Sequence, residues 1–369
     1  MKARPLDGIK ILEFAGIGPG PFCGMLLSDL GADVVRIDRP GVMSAGVGPV
    51  TGRGRRSIAL DLKSNEGRDT ALALIEKADA LFEGFRPGVM ERLGLGPETS
   101  LKRNSALVYG RMTGWGQNGP LSQSAGHDIN YIGISGFLGS IGRPGTPAAP
   151  PLNIVGDYGG GALFLAMGLL AGILRARATG EGQVIDAAIS DGTALLMAMF
   201  HDLLDSGQWS DRRGTNVLDG AAPFYDTYEC ADGHYVTIGS MEPQFYALLL
   251  EALGLQDDPQ FADQMDQGKW PAMKTRLIEI FRSKPRDEWV ALMEATDICF
   301  APVLSISEAT EHGHNVARET FIEFDGKLHP AAAPRFVGVS HRPLRRAPAP
   351  GEHNDEILAQ WGISGLSGH

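Results

Sequence analysis

The stretch GIKILEFAGIGPGPFCGMLLSDLGADVVRID, residues 8–38, decides the fold. Residues 9–14 read as a strand, a glycine and proline turn follows, 22–30 carry a helix signal, and 33–37 return to strand. Further on, 66–78 read as helix and 80–82 as strand. Such alternation implies parallel βαβ units, so the expected class is α/β with a Rossmann-like parallel sheet.

Two long apolar helices, 158–176 and 192–204, flank the strand-like 183–188. After Gly220 the texture changes to a hairpin, 224–229 and 234–239, and then to short helices at 273–281 and 288–295. These signals predict a large α/β domain at 1–224 and a smaller α+β domain at 225–315. A C-terminal segment, 316–369, returns to the large domain with a last helix at 354–361.

The composition, 43% apolar and 21% charged, is that of a globular protein rather than a disordered one. Cys23, Cys230 and Cys299 are odd in number and in no Cys-x-x-Cys pattern, which argues against a disulfide framework and a zinc site. The longest apolar run, 159–174, is glycine-rich and closes with arginines, so it reads as a buried core helix and no membrane association is expected. The start shows no secretory leader pattern, and a cytoplasmic location is expected.

Net charge is −11, which argues against a nucleic-acid partner. Residues 1–111, however, hold 16 Lys and Arg against 13 Asp and Glu, so an anionic ligand is expected there. Arg36, Arg39, Arg53, Arg55, Arg56, Lys63, Arg86 and Arg92 stand at strand ends or turns. In a parallel sheet such ends converge on one crevice. The turn Gly16-Ile-Gly-Pro-Gly-Pro21 has the wrong spacing for a dinucleotide fingerprint, because Pro21 stands where glycine is required.

Gly156-Asp157-Tyr-Gly-Gly-Gly161 precedes an apolar helix and places Asp157 as an N-cap, with bare backbone N–H groups behind it that a ligand can approach. His127 follows the breaker-rich 113–120, and Met197 and Met199 offer an adaptable apolar surface. Their ordinary reading is as core residues.

Taken in order, these segments and Gly31-Ala-Asp-Val-Val-Arg-Ile-Asp-Arg-Pro-Gly41, Phe85-Arg-Pro-Gly-Val89, Arg111-Met-Thr-Gly-Trp-Gly-Gln117 and Ala125-Gly-His-Asp-Ile-Asn-Tyr131 resemble the α-methylacyl-CoA racemases of the family III CoA-transferase superfamily. The resemblance implies interconversion of (2R)- and (2S)-2-methylacyl-CoA by two-base proton transfer through an enolate, with CoA as part of the substrate and no separate cofactor or metal. It implies His127 and Asp157 as the two acid/base groups and the Asp157 backbone N–H on the thioester oxygen. It implies CoA contacts at Arg39, Leu60, Lys63, Gly84, Arg86, Arg92, Gly126 and Tyr131. It further implies an interlocked homodimer with shared active sites, Glu242 reaching in from the partner chain to orient His127. The alternative within the superfamily is a CoA-transferase in which Asp157 is the nucleophile; it has no need of His127.

Overall fold

A computed structural model describes residues 2–42 and 47–363. The chain divides into two compact units, the first made of residues 1–137, 151–197 and 317–369, the second of 138–150 and 198–316.

The first unit opens with β1 (Lys10–Phe14), α1 (Pro19–Asp29), β2 (Asp33–Asp38), β3 (Arg56–Ala59), α2 (Asn65–Ile75) and β4 (Ala80–Glu83). It continues with α3 (Val89–Arg92), α4 (Pro97–Arg103), β5 (Val108–Thr113) and α5 (Asp128–Ile134); the short α6 (Phe137–Ser140) crosses its border. After a π-helix (Ile154–Ala162) come α7 (Leu163–Thr179), β6 (Val184–Ala188) and α8 (Ile189–Leu196). The six strands form one sheet in the order β3-β2-β1-β4-β5-β6, and every pairing is parallel. This is the doubly wound Rossmann order, whose switch point lies between β1 and β4.

Strand periodicity of two feeds two layers. Ile11, Val34 and Val108 enter the core on one face, with Leu165, Leu169 and Ile173 of α7. Leu12, Val35 and Tyr109 enter the other, with Leu72 and Ile75 of α2. With both faces covered, the strands read as continuous apolar runs. Gly172 lets α7 lie close to β5: a Cβ there would stand 2.6 Å from Val108 Cγ1. Ser64 caps α2, its Oγ accepting from the Gly67 N–H at 3.0 Å.

The apolar helical run exceeds the sequence expectation. The π-helix and α7 form one stretch, Ile154–Thr179, of 26 residues, long and apolar enough by length and composition to cross a membrane; half of its most apolar window is buried. It is packed on one side only, with Leu163, Met167 and Leu174 exposed. The expected helix 192–204 breaks at Met197 into α8 and α9 (Ala198–Asp205), and α9 has no buried residue.

The second unit carries the antiparallel sheet of β7 (Tyr225–Glu229), β8 (Tyr235–Gly239) and β9 (Phe300–Val303). With it come α10 (Pro243–Leu253), α11 (Trp270–Phe281), α12 (Arg286–Met293) and α13 (Ile306–Glu311), while α14 (Gly313–Ala317) ends at its border. Phe224, Tyr228, Tyr246, Trp270, Phe281 and Trp289 build its aromatic core. The border expected at 224/225 falls at 197/198 instead, because Val217, Ala221 and Ala222 pack against this core. Residues 138–150 join it through Arg143, which binds Asp226 at 2.7 Å.

The chain then returns to the first unit with the hairpin β10 (Phe321–Phe324) and β11 (Lys327–Pro330) and with α15 (Asn354–Gln360). Trp361 is buried there, its indole N–H donating to Asp33 Oδ2 at 2.9 Å.

Candidate active site

Residues that follow strands reach the ligand edge of a parallel sheet; residues that precede strands do not. That distinction sorts the eight basic residues. Arg39, Lys63 and Arg86 follow β2, β3 and β4, and line cavities at that edge. Arg53 and Arg55 come before β3 and Arg56 opens it, which corrects the expectation that they converge on the ligand. They are buried in ion pairs instead: Arg53 with Asp29 at 2.6 Å, Arg55 with Glu13 at 2.5 Å, Arg56 with Asp33 at 2.5 Å. Arg36, inside β2, pairs with Asp38 at 2.8 Å. Arg92 is exposed on α3 and lines neither cavity.

One cavity, of about 470 Å³, is walled by Phe14, Ile37, Leu60, Leu62, Phe85 and Leu93, with Arg39 and Lys63 among its lining. An apolar cavity with two cations at its lining suits an apolar ring attached to phosphates. Phe85 is shared with a second cavity of about 240 Å³, lined by Gly84, Arg86, Trp115, Gly126, His127 and Tyr131. Thus Arg39, Leu60 and Lys63 come together in one space, and Gly84, Arg86, Gly126, His127 and Tyr131 in the adjoining one. The Tyr131 hydroxyl donates to the Gly126 carbonyl, and its ring meets Trp115 edge-on with centroids 4.7 Å apart.

His127 is the exposed N-cap of α5, and its backbone N–H donates to Asn130 Oδ1 at 3.0 Å. Asp157 is not an N-cap, contrary to the sequence expectation: it is the fourth residue of the π-helix, which starts at Ile154. Asn153 Nδ2 donates to its Oδ2 at 3.1 Å. Gly18, at φ 67° in the turn after β1, lies against it; a Cβ there would be 3.0 Å from Asp157 Oδ2. The glycine and proline turn therefore seats a carboxyl rather than a pyrophosphate.

Burial raises the proton affinity of Asp157. The Asn153 bond opposes the rise, the charge of Asp128 adds to it, and His127 is close enough to lower it. Burial raises Asp128 as well, against the backbone N–H groups of Asp157 and Gly156. The Asp157 N–H donates to Asp128 Oδ1 at 2.6 Å, so in this arrangement it is committed to a carboxylate and not offered to a thioester oxygen. Nearby, at the end of β4, burial pushes Glu83 up to about 7, opposed first by the Phe85 N–H and then by Arg111.

Sequence reasoning missed Asp128, Asn153, Phe85, Trp115 and Glu83 as site residues. Asn153 precedes Asp157 by four residues, a signal visible only once the helix is extended backwards. Glu242, the N-cap of α10, belongs to the second unit; its side chain makes no capping bond and is exposed. Met197 is buried, its ordinary reading, whereas Met199 is half exposed.

The doubly wound sheet thus carries an apolar, cation-bearing slot at its switch point, and His127 lines the cavity that adjoins it. The family model for CoA-transferase family III matches residues 6–354, and the chain belongs to that family. It is 45% identical to the alpha-methylacyl-CoA racemase of Mus musculus, over 97% of this chain and 94% of that protein. It is 43% identical to the racemase of Homo sapiens, with the same coverage. Among solved structures it is similar to a CAIB/BAIF family protein from Brucella suis, with a TM-score of 0.84, 27% identity, and 98% and 100% of the two chains covered.

Proposed function

We propose that this chain is an α-methylacyl-CoA racemase, interconverting (2R)- and (2S)-2-methylacyl-CoA. The observation that carries the reading is His127 in the cavity that adjoins the cation-bearing slot, with the Asp157 carboxyl seated against Gly18 in the turn after β1. Inverting a carbon requires taking its proton from one face and returning one to the other, so two groups must share one proton between them. A neutral imidazole facing a carboxylic acid serves one enantiomer, and an imidazolium facing a carboxylate serves the other. A carboxyl raised by burial suits this exchange, because its affinity moves toward that of histidine. The transferase alternative uses Asp157 alone and leaves His127 without a role.

CoA is the handle of the substrate. Arg39 and Lys63 engage its phosphates, the apolar slot takes the adenine, and Arg86 and Tyr131 line the path to the thioester. This remote binding supplies energy to orient the reacting carbon. No metal or organic cofactor enters these steps. The enzyme acts in the cytoplasm as a homodimer, with the partner subunit's Glu242 orienting His127.

The test is incubation with a (2R)-2-methylacyl-CoA in deuterium oxide, beside His127→Ala and Asp157→Ala. Deuterium gain at the α-carbon with loss of optical purity, nearly abolished in both variants, is the expected result. Absence of exchange in a folded, CoA-binding protein overturns the reading and points to CoA transfer onto free acids.

A further inference from the structure

We propose that Asp128 is a positioning residue for Asp157, its carboxylate clamping the backbone at the start of the π-helix and placing a negative charge beside the catalytic carboxyl. The inference rests on the two-base reading and adds a third group to it.

Asp128 is buried, and its Oδ1 accepts the Asp157 N–H at 2.6 Å. The space it occupies exists only because residue 156 is glycine: a Cβ there would lie 2.2 Å from Asp128 Oδ1 and 2.8 Å from Ile132 Cγ2. The other oxygen, Oδ2, is buried with no hydrogen-bond partner, so the carboxyl is held for what Oδ1 does. One residue links the two bases, since Asp128 follows His127 directly in the chain and bonds the backbone of Asp157. A shift of its side chain therefore moves one base relative to the other.

The second consequence is electrostatic. The groups bearing on Asp157 are His127, which lowers its proton affinity, and Asp128, which raises it; Asn153 bonds it from its own helix. Tyr131 is raised first by burial, then by Asp157, and is lowered by Arg86 and raised again by Asp128.

Asp128→Asn keeps an acceptor oxygen and removes the charge; Asp128→Ala removes both; Gly156→Ala breaks the clamp from the other side. For Asp128→Asn, KM holds, kcat falls roughly tenfold, and the acidic limb of the kcat/KM profile moves to lower pH. Asp128→Ala and Gly156→Ala lose about 100-fold in kcat. The Asp157 carboxyl is also titrated by its ¹³C resonance, assigned with Asp157→Asn. Its midpoint falls in Asp128→Asn, a result that needs no turnover. If the wild type shows no exchange while the midpoint still falls, the racemase reading fails and the positioning role stands. A midpoint and a profile identical to those of the wild type overturn the proposal.

Discussion

Asn153 Nδ2 donates to Asp157 Oδ2 at 3.1 Å, which gives the buried carboxyl a donor that stabilises its ionised form. Asn153 stands just ahead of the π-helix and Asp157 lies one turn inside it. Asn153→Ala removes the donor and leaves burial and the Asp128 charge opposed only by His127, so Asp157 rises further. The acidic limb of kcat/KM moves to higher pH, opposite to Asp128→Asn. A hydrogen bond worth about 1 kcal/mol corresponds to a loss of roughly fivefold on that limb. A profile moving the same way in both variants contradicts the assignment.

The basic residues separate into those that face ligand and those that hold the fold. Arg39 and Lys63 are exposed and line the apolar slot. Arg39→Ala and Lys63→Ala raise KM for acyl-CoA by roughly tenfold and leave kcat nearly unchanged, because they remove binding common to ground and transition states. Stability changes by less than about 0.5 kcal/mol, as for other surface positions. Arg55 is fully buried against Glu13, with further bonds to the carbonyls of Thr51 and Pro21. Arg55→Ala strands the Glu13 carboxylate and costs about 3–5 kcal/mol. Denaturant titration beside steady-state kinetics distinguishes the two groups.

Much of the fold is legible in residues 8–38, because a strand buried on both faces, a glycine turn and a helix leave a local pattern. The sorting of the arginines is not legible there. It depends on β3, whose Arg56-Ser-Ile-Ala is too short and polar at its start to stand out, yet its position decides which edge the preceding arginines meet. Asp157 reads from the sequence as the cap of a helix, whereas it stands inside the π-helix. The glycine-rich 156–161 has weak helix propensity, and the π-helix depends on packing against α8 that only the tertiary fold supplies. Asp128 escaped notice because its role is a bond to a backbone 29 residues away.

That packing yields a third prediction. A Cβ on Gly192 of α8 would lie 1.9 Å from the Gly160 carbonyl oxygen, so backbone itself must move. Gly192→Ala costs about 3 kcal/mol or more, at the upper end of overpacking penalties. The displaced element carries Asp157, so kcat falls at temperatures where the fold persists, while CoA affinity at the Arg39 and Lys63 slot is retained. Calorimetry, CoA titration and deuterium exchange on the same sample separate these effects. A variant with unchanged melting and exchange contradicts the packing.

Glu83 gives the pH dependence of stability. Burial raises its carboxyl from an ordinary 4.5 to about 7, against the Phe85 N–H at 2.7 Å and Arg111 at 3.3 Å. The folded protein therefore holds this proton over a range in which the unfolded chain has released it. Stability from this group is complete below about 4.5 and is lost as pH rises through about 7. Glu83→Gln cannot ionise and does not share the loss. The unfolding free energy of the variant, taken relative to the wild type, rises between these two values by on the order of 3 kcal/mol and levels off above them. Arg111 keeps Glu91 at 2.8 Å as a partner, so the variant does not leave a bare buried cation. Denaturant titrations at a series of pH values measure the difference directly; a flat difference places the Glu83 proton outside this window.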